Sequence, residues 1–185
     1  MPARASDTRR SSAEGGSALG GAIYNEANIT IFNTSFENNY ASAETGTAHG
    51  GAIYTTNDMY IMSGDFSSID SSLADTEHLS RISGNYVTDS SGERQEAIYV
   101  DSSTATLHLL AMEDGVIELN DVIEGADGYK VYVGGDEDYG MFGSTANNNG
   151  VVKVYNDINN ANLTTGEVTF RTANDDVHVY NLKTI

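Results

Sequence analysis

The chain has no cysteine and no tryptophan, and one proline in 185 residues. Without cysteine there is no disulfide framework, no thiolate nucleophile and no cysteine-bearing zinc site. Basic residues are scarce: nine Lys and Arg stand against 27 Asp and Glu, a formal charge of −18. A phosphate-binding surface needs clustered Lys and Arg, so this balance argues against nucleic acid as a partner. The same field repels an anionic membrane surface. No run approaches the ~18 apolar residues of a membrane helix. Met1–Arg10 leads into Ser11–Gly16 without the apolar stretch of a secretory signal. Direct membrane insertion by this segment is therefore not expected. No window carries a 3.6-residue apolar period, so helix content is expected to be near zero.

What is present is glycine (19 residues), tyrosine (11 residues) and abundant Ser, Thr, Asn and Asp, with 39% apolar residues in all. That mixture favours many short strands joined by turns. Gly20-Gly21-Ala22-Ile23-Tyr24 returns residue for residue as Gly50-Gly51-Ala52-Ile53-Tyr54. The same offset aligns Ile29 with Met59, Ile31 with Ile61 and Phe36 with Phe66. An apolar pattern held at a fixed offset is the signature of a stacked repeat, in which each unit buries its apolar row only against the next.

In order along the chain, residues 1–18 are polar and lack a period, and are read as a flexible lead-in. Residues 19–185 are read as one domain. Its first unit runs from Gly20 to His49. The second begins at Gly50 and carries an insertion, Ser67 to His78. Ile82-Ser83-Gly84-Asn85-Tyr86-Val87 then echoes Phe36-Glu37-Asn38-Asn39-Tyr40-Ala41. The third opens at Ala97-Ile98-Tyr99-Val100, where Gln95-Glu96 replaces Gly-Gly. Asn120-Asp121 falls where earlier units place Asn, and an inward Asn at such a corner is expected to bond the Asn of the next unit. Gly134 to Gly150 reads as loop. Strands resume in Val151–Tyr155, Val168–Phe170 and Val177–Tyr180. The chain stops in strand-like residues, which suggests a segment of a longer polypeptide or an end covered by another subunit.

The two Gly-Gly-Ala-Ile stretches, with Phe36-Glu37-Asn38-Asn39, resemble the GGA(I/L/V) and FxxN repeats of the polymorphic outer-membrane protein family of autotransporter-like bacterial surface proteins. The resemblance covers Gly20 to about Val100. It implies a right-handed parallel β-helix (β-solenoid) passenger that acts as an adhesin.

Candidate sites are few. Gly134-Gly135-Asp136-Glu137-Asp138 offers carboxylate and carbonyl oxygens for calcium, with Asp136, Glu137 and Asp138 as the candidate ligands. The competing reading is a solvated acidic turn. His49, His78, His108 and His178 are scattered and form no zinc spacing. Arg81, Arg94, Lys130 and Arg171 are not clustered in sequence, which disfavours a uronate-binding enzyme site. Tyr24 and Tyr54 are expected to stack, either as a wall of the fold or as an aromatic surface for glycan or protein.

The reading is an all-β, right-handed parallel β-helix with irregular repeats and loop insertions. Its expected role is structural and adhesive, in a bacterial secreted or cell-surface protein. Host or neighbouring-cell protein or glycan is the partner, met through Ser67–His78 and Gly134–Gly150. No catalytic residues and no required cofactor are expected. The alternatives are a polysaccharide-acting lyase or glycosidase, and a subunit that self-associates end to end into a fibre.

Overall fold

The computed structural model describes residues 10–67, 70–73, 76–112, 114–134, 150–159, 161–165, 169–172 and 183–184. These residues are all-β: they contain no α-helix, and one 3-10 turn at Ser71–Leu73. No helix among them is long and apolar enough to cross a membrane.

The strands fall into several parallel sheets, each built by adding one strand from each successive stretch of chain. A six-stranded sheet has the spatial order Ile29–Phe32, Met59–Ser63, Thr106–Ala111, Lys130–Gly134, Asn162–Thr165 and Lys183–Thr184. A five-stranded sheet runs Phe36–Glu37, Leu79–Ser83, Val116–Leu119, Val151–Val154 and Thr169–Thr172. The sheet that carries the tyrosine row runs Ile23–Asn25, Ile53–Thr55, Ile98–Val100 and Ile123–Gly125. A fourth contains Arg10–Ala13, Tyr40–Ala43 and Tyr86–Asp89 in parallel. Gly92–Gln95 closes it as an antiparallel hairpin strand. Ala18–Leu19 pairs with Ala48–His49. Arg10–Ala13 and Ala18, within the stretch expected as a lead-in, lie in paired strands.

The core follows from strand alternation, which sends every second side chain inward. In the six-stranded sheet Ile29, Met59 and Leu107 align across strands, as do Ile31, Ile61 and Leu109. They meet Phe36, Ile82 and Ile117 from the five-stranded sheet and Ile53, Ile98 and Ile123 from the tyrosine sheet in one apolar cluster. Each such fully buried side chain contributes about 1.5–3 kcal/mol. A smaller core of Ala18, Ala41, Ala43, Ala48 and Val87 fills the tighter space beside it.

The corners explain the repeated glycines. Gly20 and Gly50 both have φ of 63°, which L side chains rarely adopt. A Cβ on Gly21 would fall 2.0 Å from the Gly51 carbonyl oxygen, and one on Gly51 would fall 2.5 Å from that of Tyr86. The first glycine of each pair makes the turn. The second lets the adjacent backbone approach.

One expected alignment is corrected. Phe36 pairs with Ile82 rather than with a strand at Phe66. After Ser63 the chain leaves the six-stranded sheet and enters the five-stranded one only at Leu79, so Phe66 lies in the connecting segment. It is buried there, edge-on to Phe32 at 4.7 Å between ring centroids. With Met112 it covers Met62 and Leu110, which alternation turns away from the main core. The echo at an offset of 46 is the one the strands use: Tyr40 lies opposite Tyr86 and Phe36 opposite Ile82.

Candidate functional site

The most ordered outward-facing feature is the tyrosine row. Tyr24, Tyr54 and Tyr99 occupy the middle of three adjacent parallel strands, each between two inward-facing neighbours. Parallel in-register pairing therefore brings their rings together. The Tyr24 and Tyr54 rings are 5.4 Å apart and 3° from parallel, and Tyr54 and Tyr99 are 5.8 Å apart and 6° from parallel. Tyr24 heads the row with 51% of its surface exposed.

Carboxylates hold the row. The Tyr24 hydroxyl donates to Glu26 at 2.7 Å, and the Tyr54 hydroxyl donates to Asp101. Glu124 stands next in register after Tyr99 and accepts from the Asn159 amide at 2.6 Å. Burial, and then the bond to Asp101, pushes the Tyr54 phenol far above its ordinary range. Burial also raises Tyr99 and Glu124, while the bond to Glu26 is the main cause that raises Tyr24. The three phenols therefore remain protonated donors at neutral pH. Tyr54 is only 6% exposed and Tyr99 is half-buried, so the row presents chiefly the Tyr24 ring to solvent, and its protonated phenols do not suit general-base chemistry.

Beside the row lies a charged knot made where Gln95-Glu96 takes the place of the glycine pair in the third unit. The buried Glu96 carboxylate accepts from the Gly50 amide at 2.8 Å and faces His49 Nδ1 at 3.2 Å. Arg94 Nε reaches the same carboxylate at 3.3 Å, Nη1 reaches Asp89 at 3.0 Å, and Nη2 donates to the Ala48 carbonyl at 2.8 Å. Burial works to raise Asp89. Hydrogen bonds from the Ser91 and Ala48 amides and from Arg94 outweigh it and hold the carboxyl at about 2. The His49 ring also lies 4.0 Å from that of Tyr99, so the knot braces the row.

A second buried polar chain ties three layers. The Asn39 amide donates to Asn85 Oδ1 at 2.9 Å, and Asn85 Nδ2 donates to Asp121 Oδ2 at 2.8 Å. Asp121 also accepts from the Gly84 and Asn85 backbone amides at 3.0 and 2.8 Å. This is the ladder of corner Asn residues that the sequence led us to expect, with Asp as its third rung.

Comparison with family models, with curated proteins and with solved structures gives no match.

The acidic run Asp136, Glu137 and Asp138, the calcium candidate, lies outside the described residues. So do His178 and most of Gly134–Gly150. Among the described residues no group of three or more His, Asp or Glu side chains is placed to hold a metal ion. His108 stacks on Tyr60 at 4.2 Å, and burial lowers its pKa. Arg81 and Lys153 bind the two oxygens of Glu118 at 2.9 and 3.0 Å, forming a charge row across the five-stranded sheet. Arg81 and Arg94 are thus both committed to carboxylates, and no cationic patch forms from them. The sequence reading missed the knot of Asp89, Arg94 and Glu96. The one available signal was Gln95-Glu96 standing where Gly-Gly was due.

Proposed function

We propose that the chain is a right-handed parallel β-helix with a structural and adhesive role in a bacterial secreted or cell-surface protein. The observation that supports this reading best is the tyrosine row. The exposed Tyr24 ring is stacked on the buried Tyr54 and its hydroxyl is tied to Glu26, so it loses little side-chain entropy on binding, and Tyr supplies a large amphipathic contact area. The row stands on a buried apolar core, which holds the strands that carry it. The in-register parallel sheets and the glycine corners agree with the family resemblance. The partner is a host or neighbouring-cell protein or glycan.

The test is saturable binding of the labelled chain to epithelial and bacterial cells, read by flow cytometry. Binding that drops at least about fivefold in Tyr24→Ala, with an unchanged circular dichroism spectrum, supports the reading. No saturable binding to either cell type would overturn the adhesive role. Left-handed winding in a crystal structure would overturn the right-handed β-helix.

A second reading, end-to-end assembly, rests on a different observation. Arg10–Ala13, Ala18–Leu19, Ile23–Asn25, Ile29–Phe32 and Phe36–Glu37 each form one end of their sheet. All five edges belong to the first layer, and a strand edge is a template for another chain. Light scattering that shows lengthening with concentration supports assembly, and a constant mass across the range rules it out.

A further inference from the structure

The hairpin that ends the fourth sheet makes a step in the stack. Gly92–Gln95 folds back antiparallel on Tyr86–Asp89, with Tyr86 opposite Gln95 and Thr88 opposite Glu93. The next layer adds no strand to this sheet. The chain instead passes from Val116–Leu119 through Asn120–Val122 to Ile123–Gly125. A cleft of about 380 Å³ lies at the step, lined by Gly84, Asn85, Tyr86, Glu93, Arg94 and Gln95.

Strand alternation puts Tyr86, Glu93 and Gln95 on one face of the hairpin, because Val87, between them and opposite Arg94, points into the alanine core. Tyr40 covers one side of the Tyr86 ring, at 5.2 Å and 1° from parallel. Gln95 Oε1 accepts from Asn156 at 2.9 Å, which leaves Gln95 Nε2 to donate. Glu93 is exposed and has no hydrogen bond or ion pair with the described residues. Its charge is not cancelled by Arg94, whose guanidinium is shared between Asp89 and Glu96.

We infer that this cleft binds a hexose unit that carries no carboxylate, with an amino hexose preferred. An aromatic wall, a carboxylate acceptor and an amide donor on one face match the apolar ring face and neighbouring hydroxyls of a sugar. The cleft volume is at the small end of the range for ligand sites, about 300–1,000 Å³. Glu93, on a chain of charge −18, repels a uronate and attracts an ammonium. The proposal deepens the contact role proposed above, and rests on it only for its biological meaning.

The experiment is calorimetric titration of the full chain with a chitosan trisaccharide, cellotriose and trigalacturonate. The chitosan trisaccharide is expected to bind most tightly, and trigalacturonate at least about tenfold more weakly. Glu93→Gln should weaken the amino sugar about tenfold, and Gln95→Ala should weaken both it and cellotriose. Both residues are exposed, so neither variant threatens the fold. The proposal is overturned if no sugar binds at about 10 mM. It is equally overturned if trigalacturonate binds as well as the others, or if neither variant changes the affinity. Cell binding that is lost in Tyr24→Ala while no sugar binds would remove the cleft proposal and leave the contact role standing.

Discussion

Between the first two layers, four of the five strand pairs share one spacing, and the fifth, Phe36 opposite Ile82, is 46 residues apart. Arg10 lies opposite Tyr40, Ala18 opposite Ala48, Ile23 opposite Ile53 and Ile29 opposite Met59, an offset of 30 in each. Further along, partners are 46 residues apart at Asn39 and Asn85, 37 at Arg81 and Glu118, and 35 at Glu118 and Lys153. Yet inward residues align as well in the second region as in the first, as Leu107 on Met59 and Val131 on Leu107 show. Register in this stack is therefore set by alternation and by the corners. Loop length matters little, since closure entropy grows only slowly with it. The two regions differ in corner chemistry. The first uses glycine pairs, and the second uses Glu96 and the Asn85–Asp121 link.

Gly51→Ala should have the largest effect. The new Cβ would meet the Tyr86 oxygen at 2.5 Å and its nitrogen at 2.6 Å, both backbone. A loss of about 3 kcal/mol or more in urea unfolding is expected. Gly92→Ala is the control. Its φ is +108°, but its Cβ would meet nothing within 4 Å, so about 1–2 kcal/mol is expected. Equal losses would break the claim that close approach, and not φ alone, demands glycine at the corner.

Next comes the polar link. Asn85 is fully buried and joins Asn39 to Asp121, which is 2% exposed. Asn85→Ala leaves the Asn39 amide and one Asp121 oxygen without this partner, at a cost of about 2–4 kcal/mol. A loss under about 1 kcal/mol in chemical denaturation would show that stacking alone aligns these layers.

Smaller still is the acid dependence of the charged knot. Asp89 sits at about 2 in the fold against an ordinary 3.8. A carboxyl lowered by folding stabilises above its unfolded value and loses that contribution as pH falls through the folded one. Its share of stability should therefore be complete above about pH 4 and gone near pH 2. Asp89→Asn should flatten stability against pH in that window, as read by urea midpoints. An unchanged slope would remove Asp89 from the corner's energetics.

The smallest effect is at Tyr24. It heads the tyrosine row and is 51% exposed, so Tyr24→Ala should change stability by no more than about 0.5 kcal/mol. A larger loss in thermal unfolding would mean that the row is a wall of the fold and not a surface free for contact.

The fold was legible where the sequence repeats itself. Two copies of Gly-Gly-Ala-Ile-Tyr, the alternation of Ile29 with Ile31, and Asn39, Asn85 and Asp121 at equivalent places all report contacts between like positions. Stacking puts like on like, so one dimension of sequence carries that information. The expected pairing of Phe36 with Phe66 failed because a fixed offset was carried across the point where the chain leaves the sheet. Phe66 is apolar for another reason: it covers Met62 and Leu110.

The candidate site was less legible. The stacking of Tyr24 on Tyr54 followed from the repeat, but Tyr99 joins them only through pairing across an irregular spacing. The meeting of His49, Asp89, Arg94 and Glu96 depends on a hairpin that replaces a parallel strand, and that hairpin also shapes the cleft. By itself the sequence determined strand type, the inward face and the glycine corners, since each depends on neighbours along the chain or one repeat away. Only the tertiary structure decided which charges meet and where the stack steps inward. Those depend on where unequal loops return the chain, which has no period to read.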